Sequence, residues 1–138
     1  MAITTAFPNA RKLEALQAIA ASTDVFKAVL LQPTANFDKT ATVYDGTGEI
    51  ASGNGYTTGG QTLTGYSAAL DGDTAVLDFA DPSWSSATIS AGGLLIVNQT
   101  KGNKIIGVHS FGATVTSTND TFKVTLPAPT AAAGLIRI

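Results

Sequence analysis

The sequence predicts a mainly β domain, a jelly-roll-like β-sandwich with one N-terminal helix. Three observations lead there. Short apolar stretches with period-two alternation recur from residue 25 to residue 138. Turn-forming Gly, Asn and Asp clusters separate them at the intervals of a sandwich, not of a βαβ repeat. Only one stretch, Ala10 to Ala21, has the residue types and the three- and four-residue apolar spacing of a helix. The expected organisation is an arm and helix over residues 1–24, then a sandwich domain over residues 25–138.

The elements follow in order. Met1 to Pro8 is an uncharged arm. Asn9 is the expected cap, its side-chain oxygen accepting a free backbone N–H of the helix. Leu13, Leu16 and Ala20 form the helix stripe, Ile19 widens it, and Ser22-Thr23-Asp24 ends the helix. In Val25–Leu31, Phe26, Ala28 and Leu30 share one face, while Val25, Val29 and Leu31 share the other with Lys27. Pro33 to Lys39 is a loop, and Ala41 to Tyr44 a short strand that stops at Asp45-Gly46. The six glycines between Gly48 and Gly65 mark an irregular strand and a long loop anchored by Tyr56 and Leu63. Ser67–Leu70 and Thr74–Phe79 flank Asp71-Gly72-Asp73 as a hairpin. Asp81-Pro82-Ser83 is a turn. Thr88–Asn98 is a strand bent at Gly92-Gly93. Lys104–Phe111, Thr114–Thr116, Thr121–Leu126 and Leu135–Ile138 complete eight or nine short strands. Within Thr121–Leu126, Phe122, Val124 and Leu126 point inward.

Composition narrows the function classes. Charged residues make up 13% of the 138 residues, about half the usual share, and the net charge is −2. The eight Lys and Arg are scattered, so no clustered cation surface awaits phosphate, and nucleic acid is not an expected partner. There is no Cys, which removes disulfides, thiolate nucleophiles and Cys-based zinc sites. The first sixteen residues lack the basic start and apolar core of a signal peptide, and no apolar run has membrane-spanning length. No membrane partner and no cofactor are expected.

Side chains with chemical potential lack companions. His109, the one histidine, lies in an expected strand with no motif supplying a nucleophile, carboxylate or further ligands. Asp71, Asp73, Asp78 and Asp81 offer oxygens of the kind Ca²⁺ takes, but the pattern lacks the EF-hand glycine and terminal Glu. Turn chemistry accounts for Asp71, Asp73 and Asp81 without an ion. Asp45 and Glu49 are a carboxylate pair without a hydrolase signature. Gly53-x-Gly55 and Gly59-Gly60 lack the Gly-Lys-Ser/Thr ending of a phosphate loop. Trp84, Tyr44, Tyr56 and Tyr66 can stack on sugars when exposed or close a sandwich core when buried. Asn98-Gln99-Thr100 and Asn119-Asp120-Thr121 match the glycosylation triplet, which carries meaning only behind a secretory signal.

Four segments carry a resemblance. Val43-Tyr44-Asp45-Gly46-Thr47-Gly48-Glu49-Ile50 leads into Gly55-Tyr56-Thr57-Thr58-Gly59-Gly60-Gln61-Thr62-Leu63. Asp81-Pro82-Ser83-Trp84-Ser85-Ser86-Ala87-Thr88-Ile89 and Gly134-Leu135-Ile136-Arg137-Ile138 follow. Together they resemble the capsid cement, or decoration, proteins of tailed phages, most of all that of a Bordetella-type short-tailed phage. The resemblance covers most of the chain after the helix and includes no catalytic motif.

It implies a jelly-roll-like virion protein, made in the bacterial host cytoplasm, that sits on the outside of a capsid and clamps neighbouring capsomers. The implied partners are the major capsid protein and the chain itself, as a homodimer sooner than a trimer. It implies neither enzyme activity nor a cofactor. Among this chain's own residues, the expected contacts are Ile3 and Phe7 of the arm, Leu13 and Leu16 of the helix stripe, and Tyr56 of the Gly-rich loop. The competing account of the stripe is that it covers the sandwich core. Other readings open at this point are a tail or fibre-base protein, a carbohydrate-binding module using Trp84 beside Tyr44 or Tyr56, and a small hydrolase built on His109.

Overall fold

The computed structural model describes residues 2–138. It contains one helix, α1 (Asn9–Ile19), and seven strands: β1 (Phe26–Leu31), β2 (Gln61–Thr62), β3 (Ser67–Asp71), β4 (Thr74–Asp78), β5 (Ser83–Asn98), β6 (Lys104–Lys123) and β7 (Ile136–Arg137). A four-stranded sheet runs β2-β1-β5-β6 and a three-stranded sheet runs β3-β4-β7. All strand pairs are antiparallel. The mainly β sandwich with a single N-terminal helix is therefore the fold of the chain.

β1 is an inner strand of its sheet, and its sequence explains why. Both of its faces are apolar, so both must be covered. Phe26, Ala28 and Leu30 face the main core, which fills the space between the two sheets. Val29 and Leu31 join Leu95 and Val97 of β5 on the opposite face, under Ala35, Phe37 and Tyr44 of the long loop after β1. The alternation read from the sequence thus separates two real cores.

The main core is closed by two aromatic groups. Phe26, Tyr66 and Phe79 pack together at one end, with Phe26 and Phe79 centroids 5.0 Å apart. Trp84, Tyr56, Phe122 and Phe111 form the other group, with Trp84 lying between Tyr56 at 6.0 Å and Phe122 at 6.2 Å. Phe122, Val124 and Leu126 are all buried, as their alternation predicts.

α1 packs against β3 and β4. Leu16 is 1% exposed and Ala20 is fully buried, so the helix stripe belongs to the sandwich core. Pro8, not Asn9, holds the cap position: its carbonyl accepts the Arg11 and Lys12 N–H groups, and no side chain caps the helix. Asn9 already lies inside the helix and its Nδ2 donates to Asp73 Oδ1 at 2.8 Å. Proline suits the entry because it offers a carbonyl and a fixed φ.

Three strand assignments need correction. Ala41 to Tyr44 makes only one bridge, Val43 with Lys104, because Asp38 Oδ1 captures both the N–H and the hydroxyl of Thr40 and bends the chain. The expected turn at Ser83 is instead the start of β5, which runs without a break to Asn98. The three stretches 104–111, 114–116 and 121–123 are one strand, β6, bonded along its length to β5. Bulges absorb what the sequence presents as breaks. Register shifts fall between Trp84 and Ala87, Ala87 and Ile89, Ala91 and Gly93, and Ile96 and Val97. Ser86, Asn119 and Gly112 take positive φ beside them. The bend expected at Gly92-Gly93 coincides with the third shift.

The Gly-rich stretch folds as a loop over the edge of β1. Tyr56 and Leu63 are its buried anchors. Gly60 is the point of closest approach: a Cβ there would stand 2.0 Å from the Ala28 carbonyl oxygen, and φ is +78°. Only glycine fits that combination.

Candidate functional site

The most concentrated polar chemistry in the domain is a buried knot around Glu49. Glu49 lies beyond the end of β2, opposite Leu31 of β1. Its side chain is buried, and among the described residues no cation pairs with it. The Tyr44 hydroxyl donates to Oε1 through a short bond. The Tyr56 hydroxyl donates to Oε2 at 2.6 Å, and the Gly59 N–H donates to the same oxygen at 2.7 Å. The Tyr56 hydroxyl also accepts the Leu30 N–H at 3.2 Å. β2 pairs only with Lys27 and Ala28, so the phenol supplies the acceptor that a longer strand would have given Leu30.

Burial, then the bond to Glu49, pushes the Tyr44 phenol up to about 12. The same causes, burial first, push Tyr56 higher still. Phenols held neutral in this way donate hydrogen bonds and do not act as bases. The knot ties three loop segments to β1. Tyr56 is 2% exposed, whereas Tyr44 and Gly59 are half-buried.

Other titratable groups are tethers. Asp71 Oδ2 accepts the Ala131 N–H, and Asp81 Oδ1 accepts the Leu126 N–H. Asp73 takes Asn9 on its carboxylate and Lys12 on its carbonyl. Asp45 Oδ1 accepts the Thr47 N–H in its turn. Among the described residues no group of three or more His, Asp or Glu side chains is placed to hold a metal ion. His109 packs edge-on against Phe111, with centroids 5.7 Å apart. Burial lowers its pKa. Among the described residues no carboxylate or hydroxyl is hydrogen-bonded to its ring.

The five expected contact residues divide. Ile3 is 89% exposed and Phe7 is 61% exposed, on an arm whose residues 2–8 are all solvent-facing. Leu13 packs partly against the main core. Leu16 and Tyr56 lie inside the domain and present no surface to a partner; the stripe and the aromatic anchor are used up by the fold itself. Trp84, 6% exposed, is also core, so Trp84 and Tyr56 form no sugar-stacking platform.

Sequence reasoning missed a groove of about 660 Å³ at the open side of the sandwich. It lies between β6 of one sheet and β7 of the other, with Ile105–Val108 on one side and Leu135–Ile138 on the other. Ile19 and Ile138, each about half exposed, line it. The only sequence signal for it is the apolar C-terminal Leu135–Ile138 segment, whose partner strand was not legible. Among the described residues no helix is long and apolar enough to cross a membrane. No protein-family model, curated protein or solved structure matches the chain.

Proposed function

We propose that the chain is a capsid cement protein of a tailed phage, binding the outer surface of an assembled head and bridging neighbouring capsomers. The observation that carries this reading is the arm. A seven-residue stretch without charge places Ile3 and Phe7 in solvent, although a folded domain of this size has a core to bury them in. Such a segment gains its stabilisation on a partner and orders there. The four segments that resemble cement proteins support the same reading. They supply the Glu49 knot, Trp84 and β7, which build the scaffold. The charge-poor exterior suits a broad protein contact.

The mechanism is mass action. A protein that binds the assembled shell and not its dissociated subunits stabilises the shell by its binding free energy. Many copies on one lattice act together, so each contact need only be modest. The role requires no catalysis. The test is direct: strip the protein from heads, or omit it, and measure the temperature at which DNA is released. Release at a lower temperature, restored by adding the purified chain, is the expected result. Unchanged release removes the proposal, and a trimeric state bound at the tail would favour the fibre-base reading.

A further inference from the structure

We propose that Asn54 is a site of spontaneous modification: its side chain closes onto the Gly55 nitrogen, ammonia leaves, and the isoaspartyl link that follows unseats the Tyr56 anchor. The proposal does not rest on the capsid reading; it concerns the ageing of the folded chain.

Asn54-Gly55 is the one Asn-Gly pair in the sequence. Glycine has no Cβ, so its backbone nitrogen is the least hindered nucleophile a following residue can offer. The pair forms a two-residue turn. Gly53 N–H donates to the Tyr56 carbonyl at 2.7 Å, and Tyr56 N–H donates to the Gly53 carbonyl at 3.1 Å. Asn54 has φ +54° and Gly55 φ +92°, the two positive values that a type I′ turn needs and that Asn-Gly supplies readily. Both residues are exposed. Among the described residues the Gly55 N–H donates to no backbone carbonyl. The reacting carbon and nitrogen are thus adjacent and open to water.

The reaction needs only water and base. Base takes the Gly55 N–H proton, the nitrogen bonds to Asn54 Cγ, and the bond from Cγ to the side-chain nitrogen breaks, releasing ammonia. Water then opens the cyclic imide. Where it attacks the carbonyl on Cα, the chain continues through Cβ and Cγ, one carbon longer, and the old backbone carbonyl becomes a free carboxylate. Ring closure requires Asn54 to rotate out of the turn, so the two Gly53–Tyr56 bonds restrain it and opening of the loop sets its rate.

The product cannot return to the native loop. A two-residue turn has no room for an added main-chain carbon. The Asn54 carbonyl, which accepts the Thr88 N–H at 2.9 Å, is no longer part of the main chain. Gly55 sits so close to β5 that a Cβ on it would stand 2.9 Å from Ala87 Cα, so a shifted chain collides there. Tyr56 comes next, and its hydroxyl serves both Glu49 Oε2 and the Leu30 N–H. Modification at position 54 therefore releases the knot one way.

The test is to incubate the purified chain for weeks in warm, mildly alkaline buffer. Peptide masses then locate the amide-to-acid change, and fragmentation separates isoaspartyl from aspartyl. Asn54 should convert ahead of every other asparagine, and several-fold faster in denaturant. The converted fraction should melt at a lower temperature than unconverted chain. Asn54→Gly, which keeps a turn-forming pair, should show no such loss on ageing. Fresh Asn54→Asp has the charge without the longer backbone and should melt close to the native chain. An Asn54 that stays intact in the folded chain, a converted fraction with an unchanged midpoint, or an equal loss in aged Asn54→Gly each overturns the proposal.

Discussion

A buried carboxylate can be held by neutral donors, and Glu49 shows how this is done. Two phenols and one backbone N–H converge on it, and one of those phenols also completes the hydrogen bonding of β1. Replacing Glu49 by Gln keeps the shape but turns one acceptor oxygen into a donor NH₂, facing groups that now donate to it. One buried donor then loses its acceptor, which costs about 1–3 kcal/mol. Tyr56→Phe should cost a similar amount, because it leaves the Leu30 N–H without its acceptor and takes one of two donors from Glu49 Oε2. Chemical denaturation of the two single variants and the double variant checks this. The double variant should cost clearly less than the sum of the singles, since all three bonds belong to one network. Strict additivity would mean that the knot does not act as a unit. The sequence announced Tyr56 as an anchor but not Glu49 as its partner. Acidic side chains are read as solvated by default, and only the fold brings Tyr44 and Tyr56 to the same carboxylate.

At the scale of elements, the helix is held where its carbonyls run out. The last carbonyls of a helix need outside donors. Tyr66 hydroxyl donates to Ala20 O at 2.6 Å and Asn98 Nδ2 to Ile19 O at 3.0 Å. Asn98 also donates to Asp24 Oδ2, which takes Lys101 Nζ at 2.8 Å and the Ala21 N–H at 3.0 Å. The clasp thus joins the end of α1 to the turn between β5 and β6. Its bonds, Lys101 first and then Asn98 and the Ala21 N–H, hold the Asp24 carboxyl down to about 2. A carboxyl depressed in the folded state binds protons more readily when unfolded. Its stabilisation is therefore complete above the ordinary value near 4 and is lost as the pH falls from there through about 2. Asp24→Asn should remove that part of the acid sensitivity. Thermal midpoints of the native chain and the variant, measured from pH 6 to pH 2, should converge at the acid end. A constant gap would mean that Asp24 acts through packing and not through charge.

The same scale shows what was legible in the sequence. Period-two alternation correctly located β1 and the inward side chains of 122–126, and the Asp71-Gly72-Asp73 turn located the β3–β4 hairpin. Alternation failed on β5 and β6. Their bulges shift the phase of the pattern at several points, so one strand reads as several short ones. It also failed at Ala41–Tyr44, where a side-chain turn at Asp38 outcompetes strand pairing. The groove was not legible for a related reason: it exists only because two edge strands from distant parts of the chain, β6 and β7, meet without bonding.

On the scale of the whole molecule, the chain divides its labour between a domain that folds and an arm that does not contribute to folding. Every residue from Ala2 to Pro8 is exposed, so the arm buries little in the isolated chain. Its removal should then leave the stability of a dilute sample within about 0.5 kcal/mol of the full chain, the usual range for surface changes. The chain lacking residues 2–7 should nevertheless fail to raise the DNA-release temperature of depleted heads. Thermal scans of both proteins, run beside the head assay, read both effects. A truncated chain whose midpoint falls would place the arm within the fold of its own domain, and the separation between scaffold and contact would not hold.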